Sequence, residues 1–263
     1  YGVNTLGAFL GTLLAGFFLI PTFGLPLTML GSATCNLFAS VVFYILSLLP
    51  HFQTRKTKRR DDGIVQNPSI EVDSKRRGLP PKLPRQVLYL IAFLSGFYIM
   101  TMENVLFRIS SLSFGSSSYS FSMILSVFLI GIAIGSFAVS KLKKISESVL
   151  FWNLLILVVL LIIVYLTLDN WPYWSHLIRI SFQSNPLGFR GYYMVSFLGL
   201  SSVLLLPLVF AGATVPITFH ILRNKLANVG RHSGLLLSFN TVGSLLGSIL
   251  GGMILFYFLD CPR

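Results

Sequence analysis

The residues best suited to chemistry lie in the segment YIMTMENVLFRISS, within a long apolar stretch. Glu103 is the one formally charged residue inside a predicted membrane span, where a carboxylate costs about 2.5–3.5 kcal/mol on insertion scales. We therefore expect it to face the bundle interior or water, or to be protonated. Asn104 and Arg108 follow at i, i+4 spacing and share a helical face. Glu103 either binds a cation or relays a proton, or it pairs with another helix and holds the bundle together.

Sequence motifs of the common catalytic sites are missing from the 263 residues. The chain has no P-loop, no GxGxxG after a strand, no HExxH and no GxSxG. Its two cysteines, Cys35 and Cys261, match no metal-ligand spacing. The sequence thus predicts no catalytic residue, no metal site and no cofactor site.

Composition indicates a membrane protein. Hydrophobic residues make up 54% of the chain and charged residues 11%, whereas soluble domains carry about 25% charged residues. The net charge of +12 would suit nucleic acid, but the basic residues are confined to loops beside apolar stretches. Membrane topology explains that pattern better, and we expect a lipid bilayer as partner and no nucleic acid.

Seven stretches meet or approach the ~20 apolar residues that a helix needs to cross a bilayer. They predict an all-α, polytopic transmembrane bundle. A turn containing Pro21, Gly24 and Pro26 separates the first two stretches. The predicted spans cover about 3–20, 26–49, 86–107, 119–140, 148–168, 193–222 and 234–258.

The sixth predicted span contains Pro207 and Pro216. A proline inside a helix removes a backbone hydrogen bond and bends or locally opens the helix. Carbonyls freed at membrane depth are tolerated only beside protein or water. The two prolines mark either a substrate-lining hinge or a static kink that shapes packing.

Lys and Arg residues orient the bundle. Ten lie in 50–85, three in 141–147 and three in 223–233, which together hold sixteen of the twenty basic residues. The positive-inside rule makes these three links cytoplasmic and predicts a multi-pass membrane protein. We expect 50–85 to be a disordered linker, with a polybasic site for anionic lipid as the alternative.

One motif occurs twice, as NTLGAFLGTLLAGFFL at 4–19 and NTVGSLLGSILGGMIL at 240–255, with eight of sixteen positions identical. Glycines at i, i+4 form a flat helix face for close packing. Both copies begin on the predicted cytoplasmic side, six spans apart, which predicts a parallel repeat of two halves. The shared residues of the packing face are Asn4, Gly7 and Gly11 in one copy and Asn240, Gly243 and Gly247 in the other.

This arrangement resembles the two six-helix halves of major facilitator transporters. On that reading, residues 1–49 are the last two helices of the first half and 50–85 is the linker. Residues 86–263 hold five helices of the second half. We then expect about four further spans upstream and at least one downstream.

The order of the motifs, from YGVNTLGAFLGTLLAGFFLIPTFGL through ENVLFR and LPLVFAGATVPI to NTVGSLLGSILGG, resembles the membrane region of bacterial fused major facilitator/spermidine synthase-like proteins. The resemblance implies a cytosolic domain like a polyamine aminopropyltransferase beyond the chain, whose site maps onto no residue here. Family members commonly have E-x-x-W-x-R; this chain keeps Glu103 and Arg108 but has Leu106 in place of Trp.

Three functions remain open at this point. The favoured one is a bundle that transports or senses a polyamine or another small solute, with Glu103 as the contact for the cation. The alternatives are a passive membrane anchor for an aminopropyltransferase-like domain and a plain major facilitator-type permease. Whether the whole protein is an enzyme stays open.

Overall fold

A computed structural model describes residues 2–48, 83–142, 145–182, 185–223, 229–254 and 257. Within these ranges the chain is helical and contains no strand. Two π-helical turns, Ala15–Leu19 and Leu250–Ile254, and a 3-10 turn, Leu168–Asn170, complete it. The α-helices are α1 Gly2–Leu14, α2 Ile20–Leu48, α3 Arg85–Phe114, α4 Ser118–Ser140, α5 Glu147–Thr167, α6 Trp171–Ile180, α7 Pro186–Arg223 and α8 Val229–Ile249. Most of the predicted linker 50–85 and part of the link 223–233 lie outside the described residues.

Six helical stretches of the described residues are long and apolar enough to cross a membrane. The protein is therefore a multi-pass helical membrane protein, as its composition predicts. The six stretches are Asn4–Leu48, Arg85–Phe114, Ser118–Ser140, Glu147–Ile180, Gly188–Leu222 and Gly230–Ile254.

The count of six differs from the predicted seven because residues 4–48 form one helical stretch. Its backbone leaves helical geometry at Gly24, with φ 77° and ψ 167°, where the sequence predicts a turn. Glycine tolerates this positive φ because it has no Cβ. The seven-span count stays a prediction.

The chain divides into two units, residues 17–78 and residues 1–16 with 79–263. In the smaller unit, no residue of α2 is buried. Its hydroxyls bond back to carbonyl groups one turn earlier, as in Thr28 Oγ1 to the Gly24 oxygen at 2.8 Å and Ser32 Oγ to the Thr28 oxygen at 3.0 Å. An apolar helix whose Ser and Thr hydroxyls bond to its own backbone suits contact with lipid.

In the larger unit, the most extensive helix pair is α3 with α8. A Cβ at Gly243 would overlap the carbonyl oxygen of Phe93, and one at Gly247 would overlap that of Phe97. A step from Gly243 to Gly247 along α8 moves the contact from Phe93 to Phe97 along α3. The two helices therefore run parallel. This close approach is what a face of i, i+4 glycines permits.

A second close pair joins α4 to α7. A Cβ at Gly135 would overlap the Val209 carbonyl oxygen, and one at Gly212 would overlap the backbone of Ile132. Helix α1 packs on the other side of α4, and α5 packs on α7. The apolar cluster at one end of this unit joins Leu88, Ala92, Val139, Ile145, Leu150, Ala213, Ile217, Ile221, Leu222 and Leu236.

The outward surface of the larger unit is apolar. On α5, the side chains of Phe151, Trp152 and Val158 are 63%, 58% and 53% exposed. Such a surface would be costly in water and fits contact with a lipid bilayer.

Candidate functional site

Glu103 lies on the buried stripe of α3. Its helical neighbours at i−4, i+3 and i+7 are Ile99, Leu106 and Ser110, which are 8%, 2% and 0% exposed. Glu103 itself is half-buried. Among the described residues, no charged or hydrogen-bonding group contacts its carboxylate. The apolar sequence around it forms the helix, and the helix directs the carboxylate into the packed side.

Asn104 and Arg108 do not join Glu103 in one site. The amide of Asn104 donates to the Met100 oxygen at 3.0 Å and to the Ser248 oxygen on α8 at 3.4 Å. Asn104 therefore strengthens the α3–α8 contact. Arg108 is exposed, away from the buried stripe.

The two copies of the glycine motif have different surroundings. In the second copy, Gly243 and Gly247 are buried against α3. In the first copy, Asn4, Gly7 and Gly11 are exposed, and a Cβ at either glycine would meet nothing within 4 Å. The repeated sequence thus serves two different packing arrangements in the described residues.

Helix α1 packs against α4 through positions outside the i, i+4 glycine pair. Gly2 lies near the Ala133 oxygen, and a Cβ at Gly16 would overlap the Ser122 side chain. A step from Gly2 to Gly16 along the chain moves the contact on α4 from Ala133 back to Ser122. The two helices are therefore antiparallel. Thr5 is the buried polar residue of this copy, 7% exposed.

The chain matches no family model, no curated protein and no solved structure. Function must therefore be argued from its own residues.

Pro207 and Pro216 both lie inside α7, which continues through them as one helix. Pro216 has no N–H to donate to the Gly212 carbonyl, four residues earlier. The hydroxyl of Ser136 on α4 donates to that oxygen instead, at 3.2 Å in a buried position. The bond satisfies the freed carbonyl and ties α4 to α7.

Sequence reasoning missed a polar junction between α5 and α7. The Asn153 amide donates to the Thr214 hydroxyl at 3.0 Å and to the Phe210 oxygen at 3.1 Å. Asn153 and Thr214 are 6% and 0% exposed. An asparagine inside the most apolar predicted span was the available signal, since membrane helices use such residues to bond across an interface.

Several buried hydroxyls have no hydrogen-bond partner within the described part of the chain. Buried polar groups are normally bonded to protein or to ordered water. The hydroxyl groups in the interior formed by α3, α4 and α7 can therefore form further hydrogen bonds. The atoms concerned are the hydroxyl oxygens of Ser95, Tyr98, Ser110, Ser126, Ser196 and Ser201.

The described residues contain no group of three or more His, Cys, Asp or Glu side chains able to hold a metal ion. The groups available for chemistry on the buried side of the described helices are therefore the carboxylate of Glu103, on the buried stripe of α3, and several buried hydroxyls. Such an arrangement can bind a cation, a proton or water.

Proposed function

We propose that this chain is the membrane region of a transporter or sensor for a small cationic solute and that Glu103 contacts the cation. The observation that carries the proposal is the position of Glu103, on the buried stripe of α3 with no partner for its carboxylate among the described residues. An intramembrane carboxylate is costly unless a cation or a proton compensates it. A transported cation would supply that compensation during part of each cycle.

The unpartnered hydroxyls support the same solute class. Ser110 lies two turns from Glu103 on the same stripe, and its hydroxyl has no partner within the described ranges. An ammonium group is a donor with no acceptor, so carboxylate and hydroxyl oxygens are its natural ligands. Water held by the same hydroxyls would hydrate a solute inside the bundle.

Polyamines are the first solutes to test. The motif order resembles fused major facilitator/spermidine synthase-like proteins, in which the soluble domain handles polyamines. A parallel repeat of two halves, with the 50–85, 141–147 and 223–233 links in the cytoplasm of a bacterial inner membrane, completes this proposal. A passive anchor for such a domain is the competing function and predicts no solute binding by the bundle.

Binding of radiolabelled spermidine to the purified protein in detergent tests the carboxylate. Glu103→Gln keeps the size of the side chain and removes its charge. We expect it to weaken binding by at least about tenfold, equivalent to ~1.4 kcal/mol. Glu147→Gln is the matched control, since Glu147 lies in the first turn of α5 and accepts from the Leu83 N–H at 3.4 Å.

Equal affinity in the wild type and Glu103→Gln would remove Glu103 from the proposal. A failure of the wild type to bind any polyamine would favour the anchor. Loss of binding in both carboxylate variants would point to a general loss of negative charge.

A further inference from the structure

A cavity of about 370 Å³ lies between α3, α5 and α7, nearer the start of α3 than Glu103, and Glu103 does not line it. This volume is within the range of small-molecule sites, about 300–1,000 Å³. The cavity is apolar except at one side, where three hydroxyl-bearing residues meet. Its lining residues are Ile91, Leu94, Ser95, Tyr98, Leu154, Leu157, Val158, Leu161 and Thr214.

The cavity is open towards the apolar surface. Leu94 and Val158 line it and are 49% and 53% exposed on helices that carry large apolar side chains outwards. In a membrane, this opening faces hydrocarbon. A ligand would therefore enter sideways from the bilayer and must be soluble in lipid.

The polar side of the cavity offers free hydrogen-bond donors. Ser95 is 1% exposed, and neither its hydroxyl nor that of Tyr98 has a hydrogen-bond partner among the described residues. The Tyr98 hydroxyl lies beside those of Ser95 and Thr214 without forming a bond of normal geometry. Thr214 donates its own hydrogen to the Phe210 oxygen at 3.1 Å and accepts from Asn153. The clustered hydroxyls of Ser95 and Tyr98 can therefore turn an O–H group towards a ligand acceptor.

The depth of the cavity in the bilayer restricts the kind of molecule that can bind in it. Ser95 and Tyr98 lie ten and thirteen residues after Arg85, the first residue of α3. At 1.5 Å per residue this is roughly 15–20 Å along the helix, beyond the polar region of a bilayer leaflet. The ester carbonyls of a phospholipid stay near the interface, so a freely diffusing molecule fits better than a phospholipid.

We propose that this cavity binds a lipid-soluble carboxylic acid, in its neutral form, with the carboxyl oxygen accepting from Ser95 and Tyr98 and the alkyl chain lying along Leu154–Leu161. The volume of about 370 Å³ lies in the range of small-molecule sites and suits a medium-chain fatty acid. The proposal does not use Glu103, which does not line the cavity.

Photolabelling tests the site. The full chain in liposomes is irradiated with dodecanoic acid that carries a diazirine, and labelled peptides are identified by mass spectrometry. We expect labels in 91–98 or 154–161 that excess dodecanoic acid competes away. Dodecane should not compete, because it fills apolar space without accepting a hydrogen bond.

The double variant Ser95→Ala, Tyr98→Phe keeps the shape of the cavity and removes both donors. We expect labelling to fall by about tenfold, as for the loss of ~1.4 kcal/mol. Ser201→Ala is the matched control, because it removes a buried, unpartnered hydroxyl from α7 outside the cavity. Three results would overturn the proposal. They are equal labelling of the double variant and the wild type, competition by dodecane as strong as that by dodecanoic acid, and no labelling of the wild type.

Discussion

At the scale of residues, the contact of Ser136 with Gly212 shows how one side chain compensates for a proline. Pro216 leaves the Gly212 carbonyl without its helical donor, and the Ser136 hydroxyl occupies it from the neighbouring helix. Pro216 is thus part of the α4–α7 contact. The carbonyl that Pro216 leaves without a helical donor accepts a hydrogen bond from another helix of the protein.

Removing that hydroxyl should destabilise the protein. Ser136→Ala leaves a buried carbonyl without a partner, at a cost of about 1–3 kcal/mol, and should lower the thermal unfolding midpoint in detergent. Ser140→Ala is the control, since Ser140 is exposed and bonds only to the Phe137 oxygen of its own helix at 2.7 Å. In a Pro216→Ala background the backbone N–H returns and the effect of Ser136→Ala should shrink. An undiminished effect there would contradict this account of the bond.

At the scale of helices, the α3–α8 contact requires glycine in the second copy of the motif. Gly7 and Gly11 of the first copy make no comparable contact. Gly243→Ala would push a Cβ into the Phe93 carbonyl oxygen, and overpacking of this kind costs about 1–3 kcal/mol. Gly7→Ala meets open space and should be neutral or slightly stabilising, because alanine favours helix over glycine by about 1 kcal/mol. Thermal unfolding of the two variants measures the difference. Equal destabilisation would show that the motif packs alike in both copies.

Helix positions were predicted better than helix ends. Apolar length is a local property, so the spans at 119–140 and 148–168 agree closely with α4 and α5. Helix α3 runs to Phe114, seven residues beyond the predicted end, through a serine-rich segment. The helix accommodates Ser111 and Ser113 there because their hydroxyls donate to the Phe107 and Ile109 carbonyls of the same helix, at 2.9 and 3.0 Å.

The candidate sites were only partly predictable. Glu103 stood out in the sequence because a charge in an apolar span is costly wherever the helix packs. The repeat predicted two equivalent glycine faces, yet which face packs depends on the neighbouring helix. The cavity at Ser95 and Tyr98 could not be predicted because it forms only where three helices pack together. Residues with hydroxyl groups are also too common in apolar spans for the sequence to mark these two.

At the scale of the whole molecule, orientation is testable without knowing the solute. In a variant lacking Cys35 and Cys261, we expect Ser116→Cys to react with an impermeant thiol reagent in intact spheroplasts. Ser116 is exposed between α3 and α4, on the predicted outer side. Ser74→Cys, in the basic 50–85 linker, should react only after lysis, because the positive-inside rule makes that linker cytoplasmic. The reverse pattern would invert the proposed topology.

The central claim of the proposed function, in its transporter form, is that Glu103 contacts a cation that this bundle carries across the membrane. Spermidine uptake into liposomes that contain the full chain tests it most directly, with Glu103→Gln and Glu147→Gln alongside the wild type. We predict saturable uptake by the wild type and Glu147→Gln, and uptake at the level of empty liposomes in Glu103→Gln. Wild-type uptake no greater than that of empty liposomes, or full uptake by Glu103→Gln, would contradict the claim.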